Sequence, residues 1–334
     1  MIQSSDTSEV KILLIGYGSI ARRHIANLRD VDPGCRVAVL RRAASGIAEG
    51  ADETFFSTEQ AIAWKPDAVI VANPAPFHVA GARPFAEQGI PLLVEKPISD
   101  SLGGVAEFIT TCAAHRAPLL VGYTLRFNAA LRALKTSLDR GDIGRALSLV
   151  AQVGQYLPDW RPGSDFGKTV TARRELGGGV LLELSHELDC ARWLMGEVAA
   201  VSAVTAQLGG LGLDVEDVAE ITMEFASGAL GHVHLDMVQR CPTRTCRVMG
   251  TDGTLEWDAL AGAVRRFDPA SKRWSDVALP VQDRNAMYVD EMKHFLDCVR
   301  GKASPLVTGE DGLAALQIAL AARRSAETGS KVTL

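Results

Sequence analysis

The sequence has no long apolar run, no pattern of paired cysteines and no excess of positive charge. No apolar run reaches the roughly 18 residues that a membrane-spanning helix needs, and the segment from Met1 to Val10 is polar and acidic rather than signal-like. We therefore expect neither membrane insertion nor secretion. The six cysteines include no C-x-x-C pair, so neither a disulfide framework nor a zinc site is indicated, and we expect a reduced, cytoplasmic protein.

The charge balance and the length limit the classes of partner and the architecture. The 35 Lys and Arg residues are outnumbered by 40 Asp and Glu residues, and the formal net charge is −5. Nucleic-acid-binding proteins usually carry a basic surface, so nucleic acid is not an expected partner. Hydrophobic residues make up 47% of the chain and charged residues 22%, which is typical of a globular protein, and 334 residues are enough for two domains.

Two different patterns of secondary structure divide the chain. In the first third, short aliphatic runs alternate with helical stretches, which predicts an α/β domain with a doubly wound parallel sheet. From about residue 145, segments of period two predict an α+β domain with an open-faced, mainly antiparallel sheet. We expect domains at 1–124 and 125–334, with a closing helix at about 309–328 that could pack back on the first domain. The predicted strands are 10–15, 36–40, 68–72, 92–95 and 119–122 in the first domain, and 147–157, 199–208, 218–225, 229–237 and 244–249 in the second.

A glycine-rich turn directly follows the first predicted strand and opens a helical pattern. Its G-x-G-x-x-A form indicates a dinucleotide site, because Gly16 permits a tight turn, Gly18 lets the backbone approach a pyrophosphate, and Ala21 allows the helix to pack on the strand. The helix N-terminus would supply amide donors to the anion. A purely structural turn is the alternative. The predicted cofactor contacts of this turn are Gly16, Tyr17, Gly18, Ser19 and Ile20.

Two arginines follow the second predicted strand. NAD-binding domains usually place an acidic residue here for the ribose hydroxyls, whereas this chain has Arg41 and Arg42. A carboxylate would repel a 2′-phosphate, and guanidinium groups can bind it through paired hydrogen bonds. The sequence therefore favours NADP(H), with NAD(H) as the alternative if both arginines only form a solvated face.

Four further motifs carry a family resemblance. Asn73-Pro74-Ala-Pro-Phe-His78 and Val94-Glu95-Lys96-Pro97 each follow a predicted strand, and the segments 122–128 and 177–189 come later. In this order, with the glycine turn, they resemble the Gfo/Idh/MocA oxidoreductases, which include glucose-fructose oxidoreductase and inositol dehydrogenase. The resemblance covers nearly the whole chain, and it implies an N-terminal Rossmann domain and a C-terminal open-faced sheet.

The resemblance assigns the chemistry to Lys96 and His186. Oxidation of a secondary alcohol needs a base for the hydroxyl proton and a group that stabilises the developing alkoxide. Lys96 matches the family's lysine, whose ammonium would anchor the substrate and lower the pKa of its hydroxyl; a plain surface lysine is the alternative. His186 matches the family's catalytic histidine and is predicted to be the general acid and base, since imidazole titrates near neutral pH.

Two acidic residues flank His186 on the predicted helix. At about 100° per residue, Glu183, His186 and Asp189 form one polar stripe, which we expect to face away from the core. The commoner family form D-x-G-x-H has its carboxylate four residues before the histidine, whereas Glu183 lies three before it; that spacing still allows a proton relay on one helix face. Asp189 is predicted to bind substrate hydroxyls or to relay protons, with a solvated carboxylate as the alternative.

The resemblance implies further binding residues. Those for the cofactor are Asn73, Pro74, His78, Glu95, Lys96 and Arg126, of which Arg126 could equally be an ion-pair partner. Those for the substrate are Lys96, Tyr123, Asn128, Tyr156, Trp160, Arg161, His186 and Asp189. Aromatic rings stack on sugar faces and arginines bind phosphates, so a sugar, including a nucleotide-linked sugar, suits this set. The segment 155–187 is also similar to a branch of bacterial surface-glycan biosynthesis proteins.

Two other groups are predicted to be structural, and no metal site is predicted. His232, His234 and Asp236 share one strand face, but they alternate with apolar residues as in an ordinary half-buried strand. Cys241 and Cys246 have no second cysteine pair with which to complete a metal site.

We therefore predict an oxidoreductase that transfers a hydride between the nicotinamide C4 and a secondary hydroxyl or ketone of a sugar, nucleotide sugar or polyol. The alternatives are a catalytically silent NADP-binding sensor and a hydrolase-type family member that uses the cofactor transiently. We also expect an exposed apolar face on the second domain's sheet, which predicts a homodimer or homotetramer.

Overall fold

The structure, a computed structural model, describes residues 9–42, 46–163, 165–277, 279 and 283–334. It consists of two compact units. The first comprises residues 1–98, 103–122 and 288–309, and the second comprises residues 99–102, 123–287 and 310–334. In the described part of the chain, no helix combines the length and the apolar character needed to cross a membrane.

The first unit is built on a six-stranded sheet. Its elements are β1 (Lys11–Ile15), α1 (Ser19–Val31), β2 (Arg36–Leu40), β3 (Glu53–Phe55), α2 (Thr58–Ala63), β4 (Ala68–Val71), α3 (His78–Ala86), β5 (Leu92–Glu95), α4 (Val105–Ala114) and β6 (Leu119–Gly122). The strand order is β3-β2-β1-β4-β5-β6, and every pairing is parallel. This is the doubly wound order of a Rossmann domain, whose ligand crevice lies where the order reverses, between β1 and β4.

The central strands are buried because their residues are apolar on both faces. All four residues of β4 and of β5 are buried, as are four of the five residues of β1. Continuous apolar runs are typical of parallel strands that helices cover on both sides. The predicted fold class of this domain is confirmed. The pattern missed β3 and α2, which are short and only half-buried.

The second unit is built on a nine-stranded sheet. The elements that follow β6 along the chain are α5 (Ala129–Asp139), β7 (Ala146–Gly154), α6 (Val180–Glu183), α7 (His186–Met195), β8 (Val198–Ala206), β9 (Val218–Phe225), β10 (Leu230–Asp236), β11 (Thr243–Gly250), β12 (Gly253–Asp258), β13 (Ala263–Asp268), β14 (Arg273–Asp276), α8 (Ala286–Val299), α9 (Gly309–Thr328) and β15 (Val332–Thr333). The strand order is β14-β13-β12-β11-β7-β10-β9-β8-β15. From residue 288, α8 belongs to the first unit, whereas α9 belongs to the second from residue 310.

The mainly antiparallel character of this sheet is confirmed, with one exception. β7 and β10 run parallel to each other, while the other pairings are antiparallel. Alternation within a strand shows which residues share a face, but it does not show which strand lies next to it, so the sequence could not reveal this pair. The sequence also missed β12, β13 and β14.

The expectation of an apolar exposed face on this sheet is wrong. α5 packs on β12 and β13, α6 on β9 and β10, and α7 on β7 and β10, so one face is covered. The other face carries mainly polar side chains, such as Glu220, Thr222, His232, Arg247 and Glu256, between a few apolar ones. Period-two alternation identified the covered residues, but it says little about how polar the opposite face is.

A chain of hydrogen bonds runs along β9 and β10 on this polar face. His232 Nε2 lies 3.0 Å from Glu220 Oε2, and His234 Nδ1 lies 2.7 Å from Glu220 Oε1. His234 Nε2 lies 2.9 Å from Asp236 Oδ2. Both ring nitrogens of His234 therefore face carboxylates, which only accept hydrogen bonds when ionised. The hydrogen bond to Asp236 is the largest influence on the pKa of His234 and raises it. Burial lowers this pKa, but the hydrogen bond to Glu220 raises it further, and the result is about 9.

We expect His234 to make the folded state more stable at acidic than at alkaline pH. The pKa of His234 in the folded state lies above the value of about 6.5 of an unfolded histidine, so its contribution is complete below that pH and is lost as the pH rises towards 9. The melting temperature of His234→Gln should therefore fall further below that of the wild type at about pH 6 than at about pH 9. The exposed His115→Gln is the matched control. A difference that did not change with pH would contradict this prediction.

Candidate active site

The turn after β1 brings the backbone of Gly16 against the end of β4. Gly16 has a φ of +96°, and a Cβ added to it would lie 2.8 Å from the backbone nitrogen of Asn73 and 2.9 Å from the carbonyl of Ala72. Only glycine tolerates both the positive φ and this contact. The N-cap of α1 is Gly18, and a Cβ added there would meet no described atom within 4 Å.

The start of α1 can therefore bind an anion. Its first turn contains no acidic residue and no side chain caps it, and the first amides of a helix have no partner within the helix. Gly18 and Ser19 are exposed there. These residues fit the pyrophosphate of a dinucleotide, and Gly18 leaves room for it.

Three arginines surround Tyr17 and Phe77 near the end of β2. Tyr17 donates its hydroxyl hydrogen bond to the carbonyl of Glu49, at 2.8 Å. The Cζ atoms of Arg22 and Arg41 lie 4.9 and 5.6 Å from the centre of the Tyr17 ring, and that of Arg42 lies 4.7 Å from the centre of the Phe77 ring. The sequence did not single out Arg22, since only the folded turn brings the first turn of α1 beside β2.

The carboxylate that precedes Lys96 is held inside the first unit. Glu95, the last residue of β5, accepts a hydrogen bond from His24 Nε2 at 2.7 Å and one from the backbone nitrogen of Lys96 at 3.2 Å. Burial opposes ionisation, but the bond from His24 and the charge of Lys96 lower the pKa of Glu95. Glu95 was predicted to contact the cofactor; it is 8% exposed, and its partners are this unit's own residues. Lys96 itself is partly exposed.

A second buried acid lies close enough to Glu95 for the charge of Glu95 to affect its pKa. Glu291 of α8 is fully buried, and neither of its carboxyl oxygens has a hydrogen-bond partner among the described residues. Burial and then the charge of Glu95 raise the pKa of Glu291 well above its usual range, which keeps this carboxyl neutral. The sequence pointed to neither His24 nor Glu291, because each is one polar residue in an otherwise ordinary amphipathic helix.

His78, which the family resemblance assigned to cofactor binding, is buried and bonded to the backbone on both sides of its ring. The imidazole is only 1% exposed. Its Nδ1 lies 2.9 Å from the carbonyl oxygen of Pro97, and its Nε2 lies 2.7 Å from that of Asn73. The ring therefore joins the segment after β4, at Asn73, to the segment after β5, at Pro97. Asn73 and Pro74 are partly exposed.

In the second unit, the predicted single helix around His186 is broken. α6 ends at Glu183, and α7 begins at His186 after a turn at Leu184 and Ser185. The Ser185 hydroxyl donates a hydrogen bond to the carbonyl of Leu182, at 2.9 Å, and accepts one from the Tyr123 hydroxyl, at 3.3 Å. His186 is thus the first residue of a helix rather than the middle of one, and its ring is partly exposed.

Tyr123, which the family resemblance assigned to substrate binding, packs against His186. The tyrosine is fully buried, and its ring meets that of His186 edge to face, with the centroids 5.6 Å apart and an interplanar angle of 85°. Burial raises the pKa of the Tyr123 hydroxyl, which therefore stays protonated and donates to Ser185. Tyr123 is a positioning residue for the imidazole.

The expectation of one polar stripe facing away from the core is also wrong, because Asp189 is fully buried. Arg126 donates two hydrogen bonds to its carboxylate, from Nε at 2.9 Å and from Nη2 at 2.6 Å. Arg126 Nη2 also lies 3.2 Å from Asp311, which pairs with Arg192 at 2.7 Å. Burial by itself would lower the pKa of Arg126, but the hydrogen bonds to Asp189 outweigh burial, so that this pKa is raised. Asp189 and Arg126 therefore form an ion pair that fixes α7. Of the two roles considered for Arg126, cofactor binding and ion pairing, this is the second.

The remaining predicted substrate residues lie on the surface of the second unit. Asn128 caps α5 by accepting a hydrogen bond from the Leu131 backbone, at 3.0 Å. The Trp160 indole donates to the carbonyl of Gln155, at 2.9 Å. Tyr156 lies under the guanidinium of Arg240, whose Cζ is 3.5 Å from the ring centre. Glu183 is partly exposed and Arg161 is exposed.

Fold and site together define a class, namely a two-domain oxidoreductase that binds a nicotinamide dinucleotide on its Rossmann domain. A family model described as "Oxidoreductase family, NAD-binding Rossmann fold" matches residues 10–123, and one described as "Oxidoreductase family, C-terminal alpha/beta domain" matches residues 135–334. The chain belongs to the Gfo/Idh/MocA oxidoreductase family, as its motifs predicted.

Known enzymes and solved structures are similar over almost the whole chain. D-apiose dehydrogenase of Paraburkholderia graminis is 27% identical, over 99% of this chain and 92% of that enzyme. Inositol 2-dehydrogenase of Streptomyces avermitilis is 28% identical, over 97% of this chain and 94% of that enzyme. GenD2 from gentamicin A biosynthesis, solved in complex with NAD, is 26% identical with a TM-score of 0.82, and the match covers 99% of this chain and 98% of that chain.

Removing only one partner of the Arg126–Asp189 pair should lower the free energy of unfolding more than removing both partners. Arg126→Met would leave Asp189 buried without its counter-charge, so the free energy of unfolding in urea should fall by about 3–5 kcal/mol. The double variant Arg126→Met/Asp189→Leu should recover most of this loss, because the uncompensated Asp189 charge has gone.

The control for this measurement is the surface ion pair between Lys135 and Asp139. Lys135→Met should change the free energy of unfolding by no more than about 0.5 kcal/mol. A loss of under about 1 kcal/mol for Arg126→Met would show that Asp189 is not held as a buried charge.

Proposed function

We propose that this chain is an NADP(H)-preferring dehydrogenase or reductase that acts on a secondary hydroxyl or ketone of a sugar, nucleotide-linked sugar or polyol. The main support is the open space over Gly18 at the uncapped start of α1, together with arginines instead of a carboxylate at the end of β2. Two relatives named above are dehydrogenases of a sugar and of a polyol. We further propose a cytoplasmic protein, because its six cysteines show no disulfide pattern.

The coenzyme preference rests on the residues around Tyr17. Arg41 is held in place, since its Nη2 donates to the carbonyl of Gly46 at 3.0 Å and its guanidinium lies over the Tyr17 ring. Arg42 is exposed, and Arg22 approaches the same ring. The guanidinium groups of Arg22 and Arg41 lie against the same ring, and such groups favour a 2′-phosphate over a bare ribose hydroxyl.

The bound nicotinamide would supply the hydride acceptor or donor at C4. Lys96 has the role of an ammonium that hydrogen-bonds the reacting oxygen and stabilises negative charge on it. His186 has the role of the base that accepts the hydroxyl proton and returns it in the reverse direction. Tyr123 and Ser185 hold the imidazole at the start of α7, and the Arg126–Asp189 pair holds the helix behind it.

Three other groups complete the proposed site. Glu183, partly exposed three residues before His186, has the role of exchanging protons with solvent. Tyr156, Trp160 and Arg161 offer two ring faces and a cation to a sugar or its phosphate. Asn128 keeps its amide nitrogen available while its oxygen caps α5.

Lys96→Ala should lower turnover by about 100-fold or more while the dissociation constant of NADPH changes less than about threefold, because the lysine acts on the substrate oxygen. Turnover would be followed as accumulation of reduced nicotinamide on a panel of sugars, polyols and nucleotide sugars. Accumulation in proportion to substrate distinguishes net oxidation from a reaction that returns the hydride. Lys135→Ala is the control, and unchanged turnover in Lys96→Ala would rule out the assigned role.

Arg41→Ala and Arg42→Ala should weaken NADPH binding by about tenfold or more each and NADH binding by less than about threefold, since only NADPH carries the 2′-phosphate. Dissociation constants from titration of cofactor fluorescence provide the measurement. Arg140→Ala, an exposed arginine of the second unit, controls for the loss of one positive charge. Equal losses for both cofactors would refute the phosphate role of these arginines.

A further inference from the structure

Two strands of the second unit end side by side. β7 and β10 run parallel, and Gly154 at the end of β7 is paired with Asp236 at the end of β10. Beyond this pair, the backbone nitrogen of Leu157 donates to the carbonyl of Met237, at 2.9 Å. A Cβ added to Gly154 would clash with the carboxylate of Asp236, so glycine leaves the room that this carboxylate occupies. The segments that follow the two strands therefore stay together.

The carboxylate of Asp236 fixes the turn that follows β10. Its Oδ1 accepts hydrogen bonds from the backbone nitrogens of Val238, at 2.8 Å, and Gln239, at 2.6 Å. Its Oδ2 lies 2.9 Å from His234 Nε2. Asp236 is only 2% exposed, and these partners satisfy its two oxygens inside the protein. The next residue of the fixed turn is Arg240.

Arg240 lies over the ring of Tyr156, in the segment that follows β7. Its Cζ is 3.5 Å from the ring centre, which is the shortest arginine–ring distance in the described part of the chain. At this distance the guanidinium is in van der Waals contact with the ring face. Stacking uses the face of the planar guanidinium, so the N–H groups in its plane remain at its edge. Arg240 is exposed, whereas Tyr156 is half-buried.

The guanidinium of Arg240 has no anionic partner within the protein. Two other arginines of the second unit lie over a ring, and each pairs with a carboxylate: Arg126 with Asp189, and Arg265 with Glu256. Among the described residues, Arg240 forms neither an ion pair nor a hydrogen bond through its guanidinium. A guanidinium offers five N–H donors in a fixed fork, which matches the two oxygens of a carboxylate. Arg240 is therefore an exposed donor whose orientation Tyr156 has already fixed.

The same end of the sheet carries the start of α7, with the proposed base. Glu187, the second residue of α7, accepts a hydrogen bond from Arg244 Nε at 2.6 Å. In the sheet, Arg244 is paired with Val153 of β7, three residues before Tyr156. The stacked guanidinium and the start of α7 therefore lie at one end of β7, within a single unit.

We propose that Arg240 binds the carboxylate of an acidic sugar substrate through two parallel hydrogen bonds, while Tyr156 holds the guanidinium in place. A carboxylate carries one charge, which one guanidinium balances, whereas a phosphate monoester carries nearly two. Only the identification of the ligand as the substrate rests on the proposed function. The binding itself can be measured without turnover.

Titration calorimetry of the full chain with saturating NADPH tests this binding. The probes are glucuronate, glucose and glucose 6-phosphate, which differ only at the sixth carbon. The wild type should bind glucuronate about tenfold or more tightly than glucose. Arg240→Met should weaken glucuronate binding by about tenfold or more, because the hydrogen bonds to a charged group are lost, and change glucose binding by less than about twofold. Arg140→Met, at an exposed arginine of the same unit, is the matched control.

A second variant separates the fork from its charge. Arg240→Lys keeps the positive charge but cannot form the paired hydrogen bonds, so it should recover only part of the lost affinity for glucuronate. Full recovery would overturn the paired hydrogen bonds. In turnover of an acidic sugar, Arg240→Met should raise KM about tenfold and change kcat by less than about threefold, because the carboxylate is bound equally before and during hydride transfer.

The titrations decide between the carboxylate and its alternatives. Equal affinities of the wild type for glucuronate and glucose, or undiminished glucuronate binding in Arg240→Met, would overturn the proposal. A loss in Arg240→Met that affected glucose 6-phosphate alone would assign the site to a phosphate and would also overturn it. If Lys96→Ala kept its turnover while Arg240→Met lost glucuronate, the proposed function would fail and the carboxylate site would stand.

Discussion

The contact between Gly16 and the end of β4 is the constraint on which the cofactor site depends. Between β1 and α1, the chain passes so close to β4 that a Cβ added to Gly16 would lie 2.8 Å from the backbone nitrogen of Asn73. Because β1 and β4 lie where the order of the sheet reverses, this contact directs the start of the helix into the ligand crevice. A larger residue would push α1 away from the sheet, and the exposed amides and the arginines around Tyr17 would move with it.

Around this site, buried polar groups hold the reactive ones in position. His78 joins the segments that carry Asn73 and Lys96, and Tyr123 supports His186 through ring packing and Ser185. Such groups are costly to bury unless they are fully hydrogen-bonded, and most of them are. In each unit, buried polar residues bonded to the protein therefore lie beside the partly exposed residues to which we assign ligand binding. Catalysis benefits from rigid positioning because displacements of about 1 Å reduce rates considerably.

The sequence predicted much of the fold, since continuous apolar runs and period-two alternation are local properties. Apart from β3, which it missed, it predicted the strands of the first domain almost to the residue. The motifs placed Gly18 at the start of α1 and Lys96 after β5, whereas His186 begins a helix instead of lying within one. It did not predict that α6 and α7 are separate, because the turn at Leu184 and Ser185 is made of residues that also occur within helices. Nor did it predict the parallel neighbours β7 and β10, whose pairing joins segments far apart in the chain.

What the sequence by itself determined is the class of each element and the glycine turn, because these depend on residues close together along the chain. What only the tertiary structure decided is which polar side chains are buried against the protein and which stay partly exposed. Asp189 and Tyr123 are as polar as His186 in the sequence, yet they are buried, and their partners Arg126 and Ser185 lie more than 60 residues away in the chain. Burial depends on the packing of distant elements, which no local pattern of residues records.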